Sequence, residues 1–341
     1  MSDLHYTYSI AIGIIGITST IVHLFISTIW IAYLFGWYMT KHKSHNNIFL
    51  HNLHIDWPKC SLRLSTRIYI FLMIIGGFLM YLTDAIRVIY LSITWIDLRI
   101  AYNEWFCRGH IFLQHFSMDS CNWIFTLLCL ERLTVSIFTH PTYSLMFNTK
   151  KILSIQILII LLISLLTSSI YFIPSEKVCE QYFYNPNFIY SRFILSSLLP
   201  TIISMISSCY LIKICYQREI KFQLTYRLIN LRNKQLRNLS IRLMHKMIAA
   251  KITLFTSCIF LLFQLILFIL MIKNVNYCCY LLFIKPLNNE DYFYILFNLI
   301  FCILHTMKLY LLILSSSCIH YHIRQIITLI KLQLCLCYYV K

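Results

Sequence analysis

The chain has 341 residues, of which 59% are hydrophobic and only 12% charged, with a formal net charge of +17. Soluble domains carry about 25% charged residues, so the polar surface here is too small to coat a water-soluble globule, and a lipid bilayer is the expected solvent. The cations stand in clusters between apolar runs rather than over one basic domain, which argues for membrane topology and against nucleic acid as their partner.

A helix needs about 20 mainly apolar residues to cross a hydrocarbon core about 30 Å thick. Seven stretches meet that condition, over about 8–38, 68–95, 107–138, 152–173, 189–216, 247–272 and 292–317, and a short tail follows over 318–341. The expected fold is therefore all-α, a single seven-transmembrane helix bundle. The first apolar run starts near Tyr8 without a basic flank and continues past Tyr38, so it reads as a span rather than a cleaved leader. Most of the 14 cysteines lie inside apolar stretches, where cysteine behaves as a small hydrophobe.

Lysine and arginine set the orientation, because short cytoplasmic loops carry the excess of cations. Lys41, Lys43, Lys59, Arg63 and Arg67 follow the first span, and Lys150 and Lys151 follow the third. From Lys213 to Lys251 the cations are accompanied by one acid, Glu219. The alternate loops nearly cancel: Asp97, Arg99 and Glu104, then Glu176, Lys177 and Glu180, then Lys273, Lys285, Glu290 and Asp291. This bias puts the N-terminus outside and the tail inside, as expected at a plasma membrane.

Cys107 and Arg132 bracket a helix of roughly 37 Å at 1.5 Å per residue, which places one at each water interface. The stretch WFCRGHIFLQHFSMDSCNWIFTLLCLERLTVSIF resembles the third helix of rhodopsin-like (class A) G-protein-coupled receptors. It has a cysteine at the outer end and an acid-Arg-apolar triplet, Glu131-Arg132-Leu133, at the inner end. Asp97-Leu98-Arg99 and Trp105-Phe106-Cys107 make it most similar to invertebrate orphan receptors related to neuropeptide (FMRFamide) receptors. The resemblance covers Arg67 to Pro141 and is thin elsewhere.

The resemblance implies a receptor for an extracellular ligand, signalling through a heterotrimeric G protein, with no catalysis and no cofactor. It implies a bridge from Cys107 to Cys179, with Cys278 and Cys279 as rival outer cysteines. Closing that loop of about 70 residues would restrain the unfolded chain by up to about 4 kcal/mol. It also implies that Glu131 holds the Arg132 guanidinium at rest and releases it to the G protein. The alternative role for Arg132 is snorkelling to lipid phosphate.

Gln114 stands five helical turns before Arg132, so the two share a face, about 27 Å apart. That depth is where ligands of the family are contacted, and amine receptors have aspartate there, so glutamine favours a peptide. Asp119 is turned about 140° from this face, Cys121 only about 20°. Asp84 and Arg87 are three residues apart in the second span and can pair on one face, as structure or as ligand pocket.

Several family features are altered. Gly77 stands where the family has its sodium-binding aspartate, the sixth span has Gln264 and Ile266 where a proline is expected, and Lys308, Leu309 and Leu312 break the seventh-helix motif. Leu314 and Ser315 stand where a visual pigment would have asparagine and proline, against an opsin. Pro200 matches the family's proline of the fifth span. The expectation is a receptor without the family's sodium modulation, whose sixth and seventh helices rearrange differently or not at all.

The competing readings are a receptor that no longer signals, and a transporter or channel with Asp84, Arg87, Asp119 and Lys308 along an ion path. The chain lacks the internal repeat that a transporter often carries, and HExxH, Walker and dinucleotide motifs are absent, so no enzymatic chemistry is expected. The basic segment RNKQLRNLSIRLMHK reads as a helix extension for a G protein or anionic lipid, and Cys335 and Cys337 as tail cysteines open to palmitoylation.

The topology predicts that Asn238-Leu239-Ser240, the one acceptor sequon, stays unmodified. Protein from a glycosylating host should therefore run at the same mobility with and without glycosidase, and a downward shift would reverse the assigned sides.

Overall fold

The computed structural model describes residues 64–94, 98–137, 150–169, 193–229 and 234–273, with isolated helical positions between 11 and 31 and at 191, 303 and 307. The elements are α1 (Leu64–Thr94), α2 (Leu98–Ala101), α3 (Glu104–Ile137), α4 (Lys150–Ser169), a π-helical turn (Ile194–Leu198) that runs into α5 (Leu199–Ile229), and α6 (Lys234–Lys273). Among the described residues all regular structure is helical. Most of the seventh and first expected spans, the tail with Cys335 and Cys337, Cys179 and Lys308 lie outside them.

Three segments, Leu64–Thr83, Lys150–Ser169 and Ile194–Lys221, are long and apolar enough to cross a membrane, which makes this a helical membrane protein. Their exposed side chains show how. On α1, Phe71, Ile75, Phe78, Leu82 and Ile86 are exposed, at the three-and-four spacing of one helix face. On α4, Ile155, Leu158, Ile159, Leu162 and Leu166 do the same. Such stripes in water would be aggregation sites; in lipid they are the solvated surface.

α3 is the exception in composition and the centre in space. It packs against α1, α4 and α5. Its buried face includes Asp119, Asn122, Thr126 and Glu131. A helix bathed in lipid cannot carry that set, but one enclosed by other helices can, because they supply the hydrogen bonds.

Helix ends follow backbone chemistry rather than apolarity. α3 begins three residues before Cys107, because the Asn103 side chain accepts the Phe106 N–H at 2.9 Å and caps the first turn. Glu104 in that turn suits the positive end of the helix dipole. α5 runs to Ile229 and α6 starts at Lys234, so both overrun the expected spans 189–216 and 247–272. Bilayer thickness limits the apolar length of a helix, not its total length.

The α1–α3–α4 core contains Tyr69, Met73, Ile124, Phe125, Leu128 and Ile160. Lipid tails are as apolar as these side chains, so close packing rather than escape from water holds the helices together. Gly76 makes that closeness possible: a Cβ there would lie 2.4 Å from Cys121 Sγ and 3.5 Å from the Ser117 carbonyl. Cys121 Sγ itself rests 3.8 Å from the Met73 carbonyl of α1.

Gly76→Ala should therefore force α1 and α3 apart and cost about 1–3 kcal/mol, seen as a lower melting temperature in detergent. Adding Cys121→Ala should recover much of the loss. Equal melting of Gly76→Ala and the parent would mean that the helices do not cross here.

Candidate functional site

α3 carries Cys107, Gln114, Glu131, Arg132 and Leu133, and its three levels differ in what holds them. At the Arg132 end, the Glu131 carboxylate is buried and accepts hydrogen bonds from two hydroxyls of α1. Thr66 Oγ1 lies 3.1 Å from both carboxylate oxygens, and Ser65 Oγ donates to Oε1. Hydrogen bonds to an ionised carboxylate are stronger than neutral ones and offset part of its desolvation. Glu131 therefore ties α3 to the start of α1, a contact that the sequence did not announce.

Leu133 enters a different contact. It packs against the cluster formed by Leu211 and Cys215 of α5 and Ala250 of α6, so three helices meet here. Three residues on, Arg218 of α5 donates to the Ser136 carbonyl of α3. Arg132 itself is half-buried, between the residue that binds α1 and the residue that binds α5 and α6. The triplet thus spreads over three neighbouring helices, as 100° per residue requires.

The middle of α3 is tied to α5 at its irregular turn. Pro200 has no N–H, so carbonyls one turn back lose a donor. The Asn122 side-chain amide donates to the Ser196 carbonyl at 3.1 Å, and Thr126 donates to the Pro200 carbonyl at 3.0 Å. Ser204 completes the group at 3.1 Å from Thr126. Asp119 faces α4, where Thr167 donates to it at 3.2 Å. Gln114, the expected ligand contact, is half-buried.

At the other end, Cys107 is buried and disulfide-bonded, with its partner outside the described residues. Arg108 is buried, donates to Glu104 and lies 5.8 Å from the Trp105 ring centroid. Tyr102, Trp105 and Phe106 are exposed. Aromatic residues with polar edges concentrate where a membrane meets water. His110 bonds through Nε2 to the Thr83 carbonyl at 3.0 Å, a structural contact between α3 and α1.

Arg87 is buried in α1, whereas the Asp84 side chain lies outside the described part, so the expected pair is not placed. Among the described residues, no group of three or more histidine, cysteine, aspartate or glutamate side chains is arranged to hold a metal ion. α3 thus carries a disulfide-bonded cysteine at one end and, at the other, contacts to α1, α5 and α6.

No protein-family model matches the chain, and no curated protein is similar to it.

Removing both hydroxyls that hold Glu131 leaves a buried carboxylate short of donors. Ser65→Ala with Thr66→Ala should cost about 2–3 kcal/mol, read as a fall in melting temperature. Replacing Glu131 by Leu in the same background should restore part of it, since an apolar trio leaves nothing unsatisfied. A double variant as stable as the parent would remove the latch.

Proposed function

We propose that the chain is a rhodopsin-like G-protein-coupled receptor of the plasma membrane, with seven spans, an outer N-terminus and an extracellular peptide as ligand. The observation that carries this reading is the position of Glu131, Arg132 and Leu133. They sit at the end of the enclosed helix opposite a disulfide-bonded cysteine, with Glu131 bound to α1 and Leu133 packed on α5 and α6. In that reading Cys107 pairs with Cys179, and peptide enters between the outer loops and contacts Gln114, Asp84 and Arg87. Ligand shifts the population between two helix arrangements, one of which frees Arg132 for the G protein. The helical overruns of α5 and α6, whose sequences include Arg218 and Lys221 and then Lys234, Arg237, Arg242 and Lys246, carry the cations that the G protein would meet.

Expression in cells that report G-protein activation, screened against extracellular peptides, tests the proposal. An agonist or basal signal should appear, and Arg132→Ala should reduce it at least about tenfold without loss of surface expression. Transport current in cells that show neither agonist response nor basal signalling would replace the receptor with a channel or transporter.

A further inference from the structure

Buried hydroxyls in this bundle usually bond to their own helix. Ser117 donates to the Leu113 carbonyl at 2.7 Å, Ser136 to Arg132 at 2.8 Å, Ser204 to Pro200 at 2.9 Å and Ser208 to Ser204 at 2.8 Å. Among the described residues five serines break the habit: Ser27, Ser257 of α6 and three on the facing helices α3 and α4. Ser120 of α3 is 5% exposed and Ser164 and Ser168 of α4 are fully buried, yet among the described residues none of these hydroxyls has a hydrogen-bond partner. The indole N–H of Trp123, one turn along from Asp119, is in the same state. Leaving a buried hydroxyl unsatisfied costs about 1–3 kcal/mol, so three within one helix pair call for a partner that is not a side chain.

These groups lie within one turn of a single contact between the two helices. Asp119 is 1% exposed and accepts from Thr167, which lies within the turn of α4 bracketed by Ser164 and Ser168. Thr167 also approaches the Ser164 carbonyl at 3.1 Å. α4 packs chiefly on α3, so this face of α4 and the Asp119 side of α3 form one seam.

We propose that the α3–α4 seam binds a single monovalent cation of about sodium size, held by the Asp119 carboxylate and by hydroxyl oxygens of Thr167, Ser120, Ser164 and Ser168. Hard cations take oxygen ligands, and Asp119, Thr167, Ser120, Ser164 and Ser168 each offer oxygen. One carboxylate balances one positive charge; a divalent ion would leave excess charge in a low-dielectric interior. A water in the ion's shell accepts from the Trp123 indole, which can only donate. The site is separate from Gly77 of α1, and its test does not depend on receptor activity.

The full chain, purified in detergent, is melted in sodium chloride and in N-methylglucamine chloride at equal ionic strength and pH. Sodium should raise the melting temperature by about 3 °C per tenfold increase above half-saturation, and the large organic cation should not. Asp119→Asn should abolish the difference. Ser164→Ala with Ser168→Ala, which keeps the carboxylate, should move half-saturation to higher sodium and covers the case in which Asp119→Asn does not fold. If the two salts give equal melting of the parent, or if Asp119→Asn keeps the sodium response, the seam holds a proton or water and the proposal fails.

Discussion

The structure depends on how the polar groups of α3 are satisfied away from water. In hydrocarbon an unpaired amide or carboxylate costs several kcal/mol, so a helix with Asp119, Asn122, Thr126 and Glu131 on its buried side is stable only inside a bundle that supplies partners. Each neighbour contributes at a different sector. α1 gives the hydroxyls of Ser65 and Thr66 and the carbonyls of Met73 and Thr83; α4 gives Thr167; α5 gives the carbonyls of Ser196 and Pro200. The positions of α1, α4 and α5 around α3 are in this sense dictated by the α3 sequence.

The same logic explains the irregular start of α5. A regular helix offers few free carbonyls to a neighbour, because each already accepts from its own backbone. The π-helical turn and Pro200 change the count over Ile194–Leu198, and the released acceptor is the one that Asn122 uses. Neither side is stable alone: a buried Asn122 without Ser196 is unsatisfied, and a proline-disrupted turn without Asn122 leaves a carbonyl bare. Thr126 and Ser204 repeat the arrangement one turn along. Position and partner specify each other, and this is a stronger determinant of helix register than apolar packing, which tolerates a slip between similar side chains.

Much of this was legible in the sequence, and the divide has a physical cause. Helix periodicity alone put Asp119 on a different side of α3 from Gln114 and Arg132, and in the structure Asp119 bonds to α4. The basic segment after Lys234 was readable as a helix extension because it lacks proline and glycine. By contrast, Ser65 and Thr66 looked like unremarkable flanking residues, since their role depends on how far α1 and α3 are offset along their axes. Gly76 was visible as a glycine but not as a contact, because the 2.4 Å approach to Cys121 is a property of two helices. The π-helical turn left no mark beyond Pro200, and α3 itself fails a test of apolarity because its partners, not its composition, make it compatible with the membrane.

The distribution of these bonds also ranks the helices by how firmly they are held. α1 is joined to α3 at Glu131, at Cys121 and at His110, and to α4 by the Tyr69 hydroxyl donating to Gln156 at 2.7 Å. α5 is joined to α3 at Asn122 and Thr126 and again at Ser136. α6 differs: among the described residues its side-chain hydrogen bonds all return to its own carbonyls, as with Thr253 to Ala249 and Thr256 to Ile252. Its packing is mainly on α5, through small residues such as Ala250 against Leu211 and Cys215. Van der Waals contacts between smooth faces resist sliding far less than a satisfied buried hydrogen bond resists breaking, since one arrangement of small side chains is nearly as good as the next. Among the described hydrogen bonds, none that joins two helices would be broken by moving α6 as a body. Leu133, next to Arg132, packs against the cluster to which Ala250 of α6 belongs, so displacement of α6 would be felt at that end of α3.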